Sequence, residues 1–132
     1  MRAVQIVLTA LLVVSALVGI EILSTDEWLW YVAPTHAYGL IAFVVLDCAL
    51  AIVLWRKTRP AAIGAALFGA VQFVAMAGDI IMGGPSGVPT GLWRSYLLSD
   101  TAFTVLLGIQ LVIVASAILA ARTGVRIPQR HI

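Results

Sequence analysis

Four long apolar runs, separated by short polar stretches, organise this chain. They cover roughly residues 3–23, 34–55, 61–82 and 101–121. Each is about 20 residues, which at about 1.5 Å per residue spans about 30 Å of hydrocarbon. Backbone N–H and C=O groups in lipid must be paired within their own segment, so the runs are read as helices rather than open strands. The expected fold is an all-α membrane protein, a single transmembrane domain over 1–132 built as a four-helix bundle with up-down topology.

The polar positions segregate by sign. Arg2, Arg56, Lys57, Arg59, Arg122, Arg126 and Arg130 flank one end of the runs. Glu21, Asp26, Glu27, Asp79 and Asp100 lie at or beyond the opposite end, and Asp47 falls inside the second run. Arg94 is the one basic residue on the acidic side. The positive-inside rule then expects both termini and the 56–59 loop in the cytoplasm, the 24–33 and 83–99 loops outside, and an inner or plasma membrane as the location. A cleaved signal is the alternative for the first run, since Arg2 supplies an n-region and Val14-Ser15-Ala16 resembles a cleavage site. The run continues to Ile20, which favours a retained helix.

Composition agrees with this reading. The 132 residues are 62% hydrophobic and 11% charged, too apolar for the surface of a soluble domain this small. The lipid bilayer is the expected surrounding. A net charge of +2 suggests no nucleic-acid partner here, because the cations sit at helix ends and form no run with interleaved aromatics. The lone Cys48 excludes an intrachain disulfide, a CxxC pair and a cysteine-based zinc site, and is expected as a small packing residue.

The polar stretches carry their own signals. Ser24 and Glu27 have capping-box spacing, which predicts a short interfacial helix near 25–32 with Trp28, Trp30 and Tyr31 as anchors. Gly83 to Gly91 is too rich in Gly and Pro for a helix, and Trp93 and Tyr96 follow as further interfacial anchors. An aromatic belt accounts for these residues; a lid over an outward-facing site is the sharper reading. Arg56 to Pro60 is a tight connection, with Pro60 suited to the start of the third helix. Ala16-Leu17-Val18-Gly19-Ile20-Glu21 resembles Ala75-Met76-Ala77-Gly78-Asp79, a weak internal repeat in two hairpins of like orientation. That is unlike an inverted transporter repeat.

Two layers of polar groups lie within the runs. Glu21, His36, Asp79 and Asp100 each stand about 20 residues from a basic anchor, at Arg2, Arg56, Arg59 and Arg122 respectively. One ionisable group per helix at one level forms an outer cluster that suits a divalent cation or proton transfer. Separate interfacial roles compete with that reading: Asp100 between Ser99 and Thr101 is a good N-cap, and Glu21 can belong to the polar run that follows. Asp47, Gln72 and Gln110 form a deeper layer. An Asp at mid-membrane costs about 2.5–3.5 kcal/mol. With no Lys or Arg at its depth, Asp47 is expected protonated, hydrogen-bonded to Gln72 or Gln110, or paired with another subunit. His36 with Asp47, and Asp79 with Gln72, are spaced to share helix faces, as a half-channel or as an interhelical seam.

The third helix carries two small-residue faces, Ala61, Ala65, Gly69 and Ala62, Ala66, Ala70, which predict central packing, self-association or contact with another membrane subunit. The sequence holds no HExxH, P-loop, Gly-x-Ser-x-Gly or GxGxxG motif. Bis-histidine haem is not expected, since the second histidine, His131, lies on the basic tail. No other cofactor is indicated. The leading expectation is a non-catalytic accessory subunit of a larger membrane complex, such as a respiratory or redox assembly. The alternative is a small proton or cation transporter or channel using the outer cluster and Asp47. A membrane enzyme with an outer metal site stands third.

Overall fold

The structure, a computed structural model, describes residues 2–123. Arg126, Arg130 and His131 lie outside the described residues. The described chain is all helix: α1 (Arg2–Thr25), α2 (Glu27–Val32), α3 (Pro34–Val53), α4 (Thr58–Met82), α5 (Thr90–Ser99) and α6 (Thr101–Thr123). Helices α1, α3, α4 and α6 are long and apolar enough to cross a membrane.

Consecutive long helices run antiparallel. Gln5 at the start of α1 donates to the Leu54 carbonyl beyond α3 (3.1 Å), while Ser15 meets Asp47 and Gly19 meets Leu40 and Val44. Along the α3–α4 pair, Leu50 touches Gly64 at one end and His36 meets Asp79 at the other. Packing is strongest for α4 with α6, then α1 with α3 and α1 with α6; among the neighbouring long helices α3 and α4 pack least. The four helices thus form a ring whose weakest seam lies between the two joined by the shortest connection, residues 54–57. Pro60 is the third residue of α4, where its missing N–H needs no partner.

Small residues set the approach of the helices. A Cβ on Gly19 would lie 2.6 Å from Val44 Cγ2, and one on Gly69 would lie 3.1 Å from Val114 Cγ2. The Ala61, Ala65, Gly69 face is buried, with Gly69 against α6. On the adjacent face Ala62 is buried, Ala66 is half-buried and Ala70 is exposed, so most of both small-residue faces is used within the chain. At the basic end the core is entirely apolar: Leu8, Leu12, Ala51, Leu54, Ala61, Ala62, Ala65, Ile113, Ala117 and Ala120.

The opposite end is closed by α2 and α5, and here several expectations need correcting. Ser24 and Thr25 do not start the short helix. They close α1, their hydroxyls donating to the Glu21 carbonyl, and Asp26 is the α2 N-cap, accepting from Leu29 N at 3.0 Å. A carboxylate at a helix N-terminus is the stronger cap because it also meets the helix dipole. Residues 90–99 form a ten-residue helix rather than a loop carrying anchors. Trp93 on it is no interfacial anchor: it is 1% exposed and packs face-on over Gly84, whose missing side chain leaves the room. Tyr31 is 89% exposed. Trp28, Trp30 and Tyr96 are half-buried, and Trp30 Nε1 donates to the Leu23 carbonyl at 2.7 Å. Cys48 is exposed on the outer face of α3, not packed inside.

Arg94, the cation on the acidic side, donates to the Ile80 carbonyl (2.7 Å) and the Ile81 carbonyl (3.2 Å). It caps the C-terminus of α4, where carbonyls lack helical partners and a positive charge is favoured.

Candidate functional site

Beneath the α2–α5 cap lies a cavity of about 170 Å³. Its ceiling is Leu29, Trp93, Tyr96 and Leu97; its walls are mostly apolar, and it reaches down to Phe43, Gln72 and Leu106. His36, Asp79 and Asp100 line its upper part. The cavity lies at the end of the bundle that α2 and α5 cover, away from the short 54–57 turn.

The structure brings together part of the predicted outer cluster. His36 Nε2 stands 3.2 Å from Asp79 Oδ1, joining α3 to α4 across the weak seam. The two side chains are 32% and 27% exposed. Asp100 lines the same cavity, and its Oδ1 accepts from Ala102 N at 3.0 Å as the N-cap of α6. Glu21 lies apart, exposed on α1. Among the described residues no three His, Cys, Asp or Glu side chains are grouped to hold a metal ion.

Two ring nitrogens on adjacent side chains of the cavity wall are buried without a partner, His36 Nδ1 and Trp93 Nε1. The rings meet edge to face with centroids 5.4 Å apart. Trp93 continues an aromatic array through Trp28 and Tyr96, and the Tyr96 hydroxyl donates to the Asp26 carboxylate, tying α5 to α2.

The deeper layer is built differently from expectation. Asp47 pairs with neither glutamine directly. Gln110 Nε2 donates to Ser15 Oγ at 2.9 Å, and the Ser15 hydroxyl donates to Asp47 Oδ2 at 2.7 Å. All three are buried; Gln110 Oε1 has no partner. Three helices are thereby linked at mid-length. Gln72, 3% exposed, lines the cavity instead. Phe43 and Leu106 each stand one turn from Asp47 and Gln110 on their own helices, while Gln72 lies at the depth of Ser15, so the cavity floor approaches the network. Ser15 is the residue that sequence reasoning missed. Its distance from Arg2 matches that of Gln72 from Arg59, which was the available signal.

No protein-family model matches this sequence, and neither a curated protein nor a solved structure matches it significantly.

Proposed function

We propose that this chain is a four-helix integral membrane protein, basic ends cytoplasmic and the α2–α5 cap outside, that binds a small, largely apolar molecule in the capped cavity. The observation that carries this reading is the cavity itself, about 170 Å³ and largely apolar, with His36, Asp79, Asp100 and Gln72 as its few polar residues. A mostly apolar pocket with a few convergent polar groups is the usual form of a small-molecule site. The test is to purify the protein in mild detergent, extract it and analyse the extract by mass spectrometry beside Gly39→Leu. Gly39 lines the cavity and a Cβ there meets nothing within 4 Å, so leucine at this position is the variant chosen to narrow the site. Wild type carries a molecule near one per chain and the variant does not; equal content in both defeats the reading.

A second reading, passage of protons or a cation, is favoured by the Gln110–Ser15–Asp47 chain near the cavity floor. The apolar core at the basic end means that such passage requires a second conformation. Flux into liposomes that is identical for wild type and Asp47→Asn removes this reading. The accessory-subunit reading drew on the lack of a catalytic motif, on an uncompensated Asp47 and on spare small-residue faces, and the first of these is untouched by the fold. Within the chain Asp47 accepts a hydrogen bond from Ser15, and most of those faces are packed against other helices, so the support from these two features is weaker.

A further inference from the structure

We infer that the ligand of this cavity is an uncharged lipophile about the size of one substituted ring, drawn from the bilayer between α3 and α4 and held by a hydrogen bond to the carboxamide of Gln72. The inference rests on the reading of the cavity as a ligand site and names what that site selects.

Gln72 stands 13 residues from Arg59, about 20 Å into the hydrocarbon from the basic end. A glutamine at such depth ordinarily bonds across to a neighbouring helix, as Gln110 does to Ser15. Gln72 joins neither the Gln110–Ser15–Asp47 chain nor the His36–Asp79 pair, and its side chain has no hydrogen-bond partner among the described residues. It is 3% exposed and lines the cavity. His36 Nδ1, Trp93 Nε1 and Gln110 Oε1 are unpartnered atoms sealed even from a water molecule; the amide atoms of Gln72 are not among the sealed ones, so the cavity reaches them. An unpartnered buried amide leaves a donor and an acceptor unsatisfied, and a hydroxyl or carbonyl oxygen on the ligand meets that need.

Charge and size narrow the class. Gln72 is neutral, and the carboxylates higher on the wall are engaged, Asp79 with His36 Nε2 and Asp100 with Ala102 N. An ion at the cavity floor would lose its water with no opposite charge to replace it. At about 170 Å³ the cavity is close to the roughly 150 Å³ that accommodates benzene in an apolar protein interior.

The route follows from which faces line the space. His36, Gly39, Leu40 and Phe43 are one face of α3, and Gln72, Ala75, Met76 and Asp79 are one face of α4. Two faces that would interlock in a closed helix pair border the cavity instead, on the seam where neighbouring long helices pack least. The cap side is shut by Leu29, Trp93 and Leu97, all buried. On the seam Gly39 and Phe43 are half-buried and Ala75 is exposed. Ala75 also borders a shallow apolar depression on the outer face of α4 with Ala70, Val71 and Val74, so cavity and hydrocarbon meet there.

The experiment uses the full chain in lipid nanodiscs and reads the fluorine resonances of three probes: 4-fluorophenol, its isostere 4-fluorotoluene, and 4-fluorobenzylamine, which is cationic at neutral pH. Gln72→Met is the informative variant. It keeps the volume and removes a buried group that has no partner, so it folds at least as stably as wild type. Comparing the probes within each protein and then between proteins cancels their different partition into lipid. 4-Fluorophenol binds wild type saturably and is lost with Gly39→Leu; binding that survives Gly39→Leu lies elsewhere and overturns the assignment. Gln72→Met weakens 4-fluorophenol roughly two- to tenfold, the worth of one hydrogen bond, and leaves 4-fluorotoluene unchanged or tighter. An equal change for both probes, or none, overturns Gln72 as the recognising group and leaves its amide to water. 4-Fluorobenzylamine binding as tightly as 4-fluorophenol overturns the neutral class. Ala75→Phe slows exchange of 4-fluorotoluene between bilayer and cavity, and an unchanged rate overturns the side route. No saturable binding of any probe, while wild type still carries a molecule that Gly39→Leu loses, overturns the ligand class and leaves the cavity reading standing. Neither bound probe nor carried molecule overturns both.

Discussion

Ser15 and Asp47, on different helices and 32 positions apart, meet through a 2.7 Å hydrogen bond in the buried middle of the bundle. Ser15 accepts there from Gln110 as well, so one hydroxyl orders three helices. Ser15→Ala leaves a buried carboxyl and a buried amide without their partner. The expected loss is about 1–3 kcal/mol in dodecyl sulfate unfolding followed by circular dichroism. The Ser15→Ala/Asp47→Leu pair is expected to cost less than the two single changes added together. A strictly additive cycle would show that the bond carries no coupling.

Gly19 and Gly78 resemble each other in sequence context but not in surroundings. Gly19→Ala drives a methyl against Val44 and is expected to cost about 1–3 kcal/mol. Gly78→Ala meets nothing within 4 Å and is expected to stabilise α4 by up to about 1 kcal/mol. Unfolding of the two variants side by side checks the sign of each.

Arg94→Gln removes the cap on the α4 carbonyls of Ile80 and Ile81. Because the side chain is exposed, the global cost is modest, about 0.5–1 kcal/mol. The local effect is larger: amide hydrogen exchange across 80–84 accelerates while the centre of α4 is unchanged.

Asp26 serves two partners, the Leu29 amide and the Tyr96 hydroxyl. Asp26→Ala is therefore expected to destabilise the cap more than Tyr96→Phe, which removes only one of them. Exchange at 27–33 ranks the variants, and the opposite order would show that the α2–α5 tie dominates over the N-cap.

The spans were legible because a long apolar run admits one solution, a helix, whatever it packs against. The cavity was legible only in part. Depth counted from the basic anchors put Glu21, His36, Asp79 and Asp100 on one level, but depth says nothing of helix phase, and Glu21 turned to the exterior. Ser15 passed as a small residue because a hydroxyl in an apolar run is inconspicuous until its neighbour is known. Trp93 read as an interfacial anchor since Trp is at home there. Its burial depends on Gly84, nine positions away, leaving space for an indole. The helix that carries Trp93 was obscured by the Gly- and Pro-rich stretch before it, which ends where α5 begins.

The weak repeat has a structural counterpart in element order, long–short–long twice: α1, α2, α3 and then α4, α5, α6. Within each half the two long helices pack closely, and the 54–57 turn joins the neighbouring long helices that pack least. Covalent continuity and side-chain cohesion are thus complementary at that seam. Residues 2–56 and 57–123 form two separable pieces whose mutual recognition runs through α1 and α6, with the Gln110–Ser15 hydrogen bond at its centre. Produced as separate polypeptides in one membrane, the two pieces hold the information to find each other without the peptide bond between them.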